Sequence, residues 1–138
     1  MTDRDVLSAT IWGEARGEST AGRLAVGSVI QNRLRSKRWG LTWTEVCQAP
    51  QQFSCWNESD INRPAMLAIF QDAHVRPHDL LVRECYWIAD GLMADAILPQ
   101  VKVATHYYAT WMPKPPAWAK AGRVVATIGN HVFLEGVS

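Results

Sequence analysis

The sequence predicts an α+β domain in which a mainly helical body precedes a small antiparallel β-sheet near the C-terminus. Three observations predict this class. Apolar residues recur at helical spacing through the first two-thirds of the chain. The last third is rich in β-branched and aromatic residues. Within that part, Gly129-Asn130 separates two strand-like runs, which indicates a two-residue hairpin.

The first predicted helix begins at Thr2 or Asp3, either of which can cap it. It ends between Gly13 and Gly17, because two glycines so close together disfavour a continuing helix. Its apolar face consists of Val6, Leu7, Thr10 and Ile11.

The second predicted helix begins after a cap at Ser19 or Thr20 and runs to about Leu34. It carries two apolar stripes, one with Leu24 and the other with Val26, Val29, Ile30 and Arg33. Two stripes predict a central helix that is mostly buried.

Two further helices are expected. The third opens at Asn62 and runs to about Ala73, because Pro64 is favoured in a first helical turn. The fourth runs from Asp79 to about Ile97. Its inner face consists of Leu81, Cys85, Ile88 and Leu92.

The sheet is predicted from three strand-like runs. They cover Val103 to Ala109, Arg123 to Ile128, and His131 to Leu134. Between the first two, Met112 to Pro116 contains three prolines and is expected to form an extended loop.

Length and composition describe an ordinary globular protein. The 138 residues fit one domain, expected over residues 1–138, without internal repeats or linkers. A content of 48% hydrophobic and 20% charged residues excludes a disordered chain. The net charge is +1, and a field so weak predicts that neither nucleic acid nor an anionic membrane is a partner.

The N-terminus predicts where the chain is made. Met1 to Asp5 leads directly into the first amphipathic helix, without the apolar core of a signal peptide. The uninterrupted apolar runs are far shorter than the roughly 20 residues that cross a bilayer. We therefore expect a soluble chain made in the cytoplasm, with no stable membrane association.

The segment from Ile11 to Glu18 has the most reactive composition. Glu14 lies where the first helix is expected to stop, and the negative end of the helix dipole favours the protonated form of a carboxyl there. Burial beside Trp12 would act in the same direction. Such a carboxyl can donate a proton to a leaving oxygen, as a glycosidase acid does. Gly13 and Gly17 would let a bulky substrate approach the backbone. The alternative for Glu14 is a solvated surface charge.

Aromatic residues give the second signal, because seven of the 138 residues are tryptophan. Sugar rings stack their C–H faces on exposed aromatic rings, although most tryptophans anchor a core. Those near predicted loops and strand ends are candidates to line a cleft for an extended polymer: Trp12, Trp56, Trp111 and Trp118, together with Tyr107 and Tyr108.

Histidines give little support for a metal site. His74 and His78 have the spacing of a helical zinc pair, but Pro77 between them interrupts a helix. His106 and His131 belong to no metal-binding motif, and the sequence contains neither an HExxH motif nor a CxxC pair. No cofactor is therefore expected.

The cysteines allow a second class of chemistry. Cys55 with His106 or His131 could form the nucleophile of a peptidase. Three cysteines, Cys47, Cys55 and Cys85, leave at least one unpaired. Free, partly buried thiols are the prediction, with a Cys47–Cys55 bridge as the alternative.

Five segments together resemble the SleB/CwlJ-type cell wall hydrolase domain. The segment Ile11 to Glu18 (IWGEARGE) is similar to that family's opening signature IYGEARGE, and Gly22 to Arg33 is similar to its second helix. Three more segments follow in the family's order: Gln52 to Trp56, Ala104 to Tyr108, and Ile128 to Phe133.

This resemblance implies a lysozyme-like fold and an enzyme that cleaves peptidoglycan glycan strands with one glutamate, which matches Glu14. The best-understood members of that family are lytic transglycosylases acting between N-acetylmuramic acid and N-acetylglucosamine. Their glutamate protonates the glycosidic oxygen and then acts as base while the muramic acid's 6-hydroxyl closes on C1. Hydrolysis by a muramidase is the alternative outcome at the same bond.

The segments that carry the resemblance also contain the candidate substrate-binding residues. These are Trp12, Glu18, Phe53, Ser54, Trp56, His106, Tyr107, Tyr108 and His131. Glu18 and Arg16 are alternatively expected to pair with each other or with neighbours. No second acidic catalyst stands out among Glu18, Glu58 and Asp60.

Two further expectations concern the biological role. A wall hydrolase without a leader or second domain suits a phage endolysin that is released through a holin and then acts in the periplasm or wall. The competing classes are a peptidoglycan amidase or peptidase using Cys55 or a metal on His106 and His131, and a wall-binding module without catalysis.

Overall fold

The computed structural model describes residues 1–71, 79–97 and 100–137. In these ranges the chain forms α1 (Asp3–Ala15), α2 (Thr20–Ser36), α3 (Trp43–Cys47), α4 (Arg63–Gln71), α5 (Leu80–Met93), β1 (His106–Ala109), β2 (Arg123–Ile128) and β3 (His131–Glu135). Short 3₁₀ helices cover Ser54–Trp56 and Ala117–Ala121. The predicted α+β class is confirmed.

Helix α1 lies at the centre of the helical body, where it packs against α2, α3, α4 and α5. Thr2 caps it in a capping box with Asp5. The helix continues through Gly13 to Ala15, so the first glycine lies inside the helix and does not end it. The predicted apolar face is confirmed, because Val6, Leu7, Thr10 and Ile11 are buried.

Helix α2 is mostly buried, as its two apolar stripes predict, but α1 takes the central position. Ser19 caps it by accepting a hydrogen bond from the backbone N–H of Gly22. The helix runs two residues past the predicted end at Leu34, and Lys37 ends it in the left-handed conformation with φ 62°.

Helix α3 was not predicted. It has five residues, which is too short for an apolar period to be recognised. Its cap is Thr42, whose side chain accepts a hydrogen bond from the backbone N–H of Glu45. The backbone N–H of Thr44 donates to Asp3 Oδ1 at 3.2 Å, which ties α3 to the start of α1.

Helices α4 and α5 agree with the predicted elements except at their ends. The described part of α4 ends at Gln71, and the predicted continuation to Ala73 lies outside the described residues. Asp79 caps α5, which ends at Met93 and not near Ile97, because Asp95 adopts a left-handed φ of 54°. Within the described ranges, no helix combines the length and the apolar character that crossing a membrane requires.

The antiparallel sheet has the strand order β1-β3-β2. The predicted hairpin is confirmed: Ile128 pairs with His131, and Gly129 has the positive φ (56°) of a glycine-first turn. The segment Met112 to Pro116 contains no helix or strand, in agreement with the predicted loop.

Strand β1 begins at His106, three residues after the predicted start. The reason is that side chains of α2 bind the backbone carbonyls that precede it. The side-chain amide of Asn32 donates to the carbonyls of Val101 (2.9 Å) and Ala104 (2.8 Å). Arg33 Nε donates to the carbonyl of Thr105 at 2.7 Å. These bonds fix the sheet against the helical body.

Candidate active site

The carboxyl of Glu14, in the last turn of α1, is held by two other parts of the fold. The hydroxyl of Tyr107 on β1 donates to Glu14 Oε1 at 2.7 Å. The backbone N–H of Cys55, in the first 3₁₀ helix, donates to Glu14 Oε2 at 3.3 Å. Helical body and sheet therefore both orient this carboxyl.

A cavity of about 570 Å³ opens over Glu14. This volume is typical of a ligand pocket, about 300–1,000 Å³. Its walls come from α1, α2, the segment around the first 3₁₀ helix, β1, and the loop that leads to the second 3₁₀ helix. Of the described residues that line it, Glu14 is the only acidic one.

Tyr107 is set up to remain a hydrogen-bond donor. Burial raises the pKa of the Tyr107 phenol well above its usual value, and the charge of Glu14 and their hydrogen bond act in the same direction. The phenol therefore keeps its proton at neutral pH and donates it in the bond to Glu14.

Arg33 on α2 brings a buried positive charge to the floor of the same cavity. Its side chain is 5% exposed, lies over the rings of Trp39 and Phe53, and donates from Nη1 to Gln52 Oε1 at 3.0 Å. Burial lowers its pKa to about 10, so it remains charged at neutral pH. No carboxylate of the described residues lies within 4.0 Å of its nitrogens.

Arg33 was not among the residues predicted for the site. The available signal was a charged residue within the apolar stripe of α2, because a long charged side chain on a buried face needs dedicated partners.

Glu18 does not face the larger cavity, and it anchors the hairpin instead. Its Oε1 accepts from the backbone N–H of Asn130 (2.8 Å) and its Oε2 from the Asn130 side chain (3.0 Å). Burial acts to raise the pKa of Glu18, but the hydrogen bonds from Asn130 outweigh it and the net pKa is lowered. The expectation of pairing with a neighbour is fulfilled through Asn130, and not through Arg16, which donates to the carbonyl of Gly13.

His131, next to the anchored turn, lines the cavity beside Glu14. Its ring centroid lies 4.7 Å from that of Tyr107. Burial lowers the pKa of His131, although Glu18 and Glu14 both act to raise it, so the imidazole is neutral at neutral pH. Its buried Nδ1 has no hydrogen-bond partner within the described part of the chain.

Two of the predicted substrate-binding tryptophans lie elsewhere. Trp56 donates from Nε1 to Thr10 Oγ1 at 2.9 Å and packs against the core. Trp12 packs edge-on against Phe70. Among the cavities lined by described residues, it borders one of about 40 Å³, and this volume is too small for a sugar ring. Both indoles find their partners inside the helical body, so neither lines the larger cavity.

Apart from Glu18, the other predicted binding residues line the larger cavity. Phe53 is buried in its floor, whereas Ser54 is exposed at its edge. Strand β1 contributes His106, Tyr107 and Tyr108. His106 lies with its ring centroid 5.2 Å from that of Trp118, so this part of the cavity wall is aromatic.

Gly13 and Gly17 were expected to let substrate approach the backbone, and Gly13 also has a packing role. A Cβ at Gly13 would lie 2.6 Å from Cys55 Cβ and 3.1 Å from Met66 Sδ. The missing side chain therefore lets the first 3₁₀ helix approach α1, and it is this approach that brings the Cys55 N–H to Glu14. A Cβ added at Gly17 would have no other atom within 4 Å.

Thiol chemistry finds no support at Cys55. The three cysteines are free and buried. Burial raises the pKa of the Cys55 thiol, and the neighbouring Glu14 raises it further. A thiol nucleophile needs the opposite shift.

A metal shared by His106 and His131 has no geometric basis. His106 pairs with Leu134 and His131 with Ala109, so the two lie three ladder positions apart, or about 10 Å at roughly 3.3 Å per residue. The described ranges contain no group of three or more His, Cys, Asp or Glu residues that could hold an ion. His74 and His78 lie outside the described residues.

The model of the family described as Cell Wall Hydrolase matches residues 17–134. The chain belongs to the cell wall hydrolase family. It is therefore an enzyme that acts on the peptidoglycan of the wall, and the predicted membership is confirmed. Glu14 lies just before the matched range.

Solved structures show the fold of this cell wall hydrolase. One is the catalytic domain of the germination-specific lytic transglycosylase SleB from Bacillus anthracis, with a TM-score of 0.65 and 20% identity over 96% of this chain and 93% of that chain. The catalytic domain of the Bacillus cereus SleB protein matches with the same TM-score, identity and coverage of this chain, and 89% of its own length. No curated protein matches significantly. The likeness confirms the predicted lysozyme-like fold.

Proposed function

We propose that this enzyme cleaves peptidoglycan glycan strands at the bond from N-acetylmuramic acid to N-acetylglucosamine, with Glu14 as its one catalytic carboxyl. The observation that carries the proposal is the acidic content of the larger cavity. Of the described residues that line this cavity, only Glu14 has a carboxyl that can exchange a proton. A mechanism with one carboxyl suits this cavity better than a carboxylate pair does.

The reaction needs Glu14 twice. Glu14 first gives its proton to the glycosidic oxygen as the bond from that oxygen to C1 breaks. The resulting carboxylate then takes the proton of the muramic acid's 6-hydroxyl while O6 bonds to C1, which gives a 1,6-anhydro end and restores the acid. The proton balance closes without water.

The hydrogen bonds around Glu14 support this double role. Tyr107 holds Oε1 at 2.7 Å, whereas the longer bond from the Cys55 N–H (3.3 Å) leaves Oε2 less engaged. Oε2 is therefore the oxygen that carries the exchanged proton. The structurally similar Bacillus anthracis protein is a germination-specific lytic transglycosylase, which supports the same reaction class for this chain.

We expect Glu14→Gln to lower the rate of wall digestion by at least ~10²-fold, because the amide cannot donate or accept the catalytic proton. Lysis of outer-membrane-permeabilised cells measures the rate, and circular dichroism shows that the fold is intact. Glu58→Gln, which removes the same charge at an exposed position, is the matched control. More than a few per cent residual activity in Glu14→Gln would refute the assignment.

Mass spectrometry of the released muropeptides separates the reaction classes. Anhydro-muramic ends identify a transglycosylase, and reducing ends identify a hydrolytic muramidase. Free stem peptides identify an amidase. Binding to sacculi without soluble fragments identifies a silent wall-binding module.

For the biological setting we propose a phage endolysin, a single catalytic domain over residues 1–138 that is made in the cytoplasm and reaches the wall through a holin. Cleavage of glycan strands supports this role, because it suffices to lyse a cell once the enzyme has access. Expression in a bacterial host with and without a holin tests it. Lysis without the holin would contradict the proposal.

A further inference from the structure

A second cavity, of about 340 Å³, adjoins the larger one at the catalytic carboxyl. The connection between α1 and α2 and the hairpin turn form its walls. Of the described residues, Glu14 and His131 line both cavities. The carboxyl therefore lies in the middle of a groove with an open space on each side.

Each of the two cavities carries an exposed tryptophan. Trp118, in the second 3₁₀ helix, lines the larger cavity and is 38% exposed, and its ring packs against His106 and Tyr108. Trp111 lines the second cavity and is 78% exposed. Tryptophan is highly buried on average, so an exposed indole in each cavity next to a catalytic group indicates a bound partner with apolar faces.

Strand β1 holds the two tryptophans apart. Trp118 packs beside His106 and Tyr108, within the strand, whereas Trp111 follows the strand's end. There the backbone N–H of Thr110 donates to the carbonyl of Asn130 at 2.8 Å, which fixes this end to the hairpin turn. The two indoles therefore serve different parts of the groove.

We propose that Trp118 and Trp111 are stacking platforms for sugar rings on opposite sides of the scissile bond. The inference deepens the proposed function and rests on it. The C–H faces of N-acetylhexosamine rings match an indole surface, and the polar groups between the platforms, Glu14 and His131, face the bond to be cut. Because open space lies on both sides of Glu14, a strand can pass along the groove, and we expect cleavage in the strand's interior.

The test uses peptide-free glycan strands of defined length and the full chain, with the lengths of the products read by mass spectrometry. We expect the wild-type enzyme to cut at interior positions. Trp118→Ala and Trp111→Ala each weaken one side, so their cleavage positions shift in opposite directions along the strand. Each variant also raises KM several-fold, with a smaller change in kcat.

Trp87→Ala is the matched control. Trp87 is 60% exposed on α5 and borders a separate cavity with Arg4 and Asp90. Its removal should leave cleavage positions and KM unchanged. Trp118→Phe and Trp111→Phe keep an aromatic face, and should restore the wild-type product pattern even if an alanine variant folds poorly.

Two results would overturn the inference while leaving the proposed function intact. One is an unchanged product pattern in both alanine variants. The other is a shift in the same direction in both, which would place the platforms on one side of the bond. A wild-type enzyme that releases no glycan fragments would instead refute the proposed function itself.

Discussion

The two hydrogen bonds to the Glu14 carboxyl come from residues 41 and 93 positions further along the chain. One is a backbone N–H, which no substitution at Cys55 except proline removes, and the other is the hydroxyl of Tyr107. The orientation of the carboxyl therefore depends on a single replaceable side chain. A substitution there tests positioning separately from proton transfer.

We expect Tyr107→Phe to lower kcat by roughly 10-fold to 100-fold, with little change in KM. The reason is the loss of a hydrogen bond to a carboxyl, worth about 1.5–3 kcal/mol when one partner is charged. Steady-state kinetics on soluble glycan strands measures both constants.

Tyr86→Phe is the matched control for this variant. The Tyr86 hydroxyl donates to Asp5 Oδ1 at the same 2.7 Å, but at the far end of α1 from Glu14. It should cost stability without lowering kcat. Equal kcat values for the two variants would show that the Tyr107 hydroxyl does not position Glu14.

At the scale of elements, the site depends on how closely the first 3₁₀ helix approaches α1. Gly13 permits the approach, because its missing Cβ leaves room for Cys55. The hairpin is fixed to the same helix end through Glu18 and Asn130, and a Cβ at Gly129 would lie 2.7 Å from Glu18 Oε1. Short segments far apart in sequence thus converge on the C-terminal end of α1.

We expect Gly13→Ala to destabilise the enzyme by about 1–3 kcal/mol, because the new methyl group overpacks the contact with Cys55. It should also lower activity, since the displaced Cys55 N–H no longer reaches Glu14. Urea unfolding and wall digestion measure the two effects.

Gly17→Ala provides the comparison, because it adds the same methyl group four residues later, with no atom within 4 Å. Its stability should stay close to that of the wild type. If Gly13→Ala proves as stable and active as Gly17→Ala, the close approach is not required.

At the scale of the whole molecule, the helical body and the sheet are joined by polar contacts around the cavity. Arg33 and Asn32 hold the backbone before β1, and Tyr107 reaches Glu14 from the strand itself. His106 is enclosed at this junction, with its ring centroid 5.6 Å from that of Trp39. Burial lowers the pKa of His106 to about 4, and the charges of Arg33 and Arg38 act in the same direction.

This shift predicts how stability depends on pH. Below pH 6.5, the ordinary value, the unfolded chain binds a proton at His106 that the folded protein does not take up until the pH is near 4. The free energy of unfolding should therefore fall as the pH is lowered from 6.5 towards 4, and this group adds no slope above 6.5. Urea unfolding at pH 7, 5.5 and 4.5 measures it.

His106→Asn removes the titrating group and should flatten this part of the pH dependence. Stability that falls equally in the variant and the wild type would assign the effect to other residues. The comparison does not depend on activity, so it tests the junction between helical body and sheet separately from catalysis.

The sequence by itself determined the elements with strong local signals. The caps near Thr2 and Ser19 and the hairpin at Gly129-Asn130 depend on neighbouring residues, so they are readable from one stretch of chain. Helix α3 escaped prediction because five residues show no period. The resemblance of five segments led to the family and directed attention to Glu14 as the candidate catalyst.

Only the tertiary structure decided which side chains meet in the cavity. Trp12 and Trp56 carry the same local signals as Trp111 and Trp118, yet the first pair packs inside the helical body and the second pair borders the groove. The partners of Arg33 and Glu18 lie up to 112 positions away. The physical reason is that such pairings follow from the packing of the helices and the sheet against one another, which no local pattern encodes.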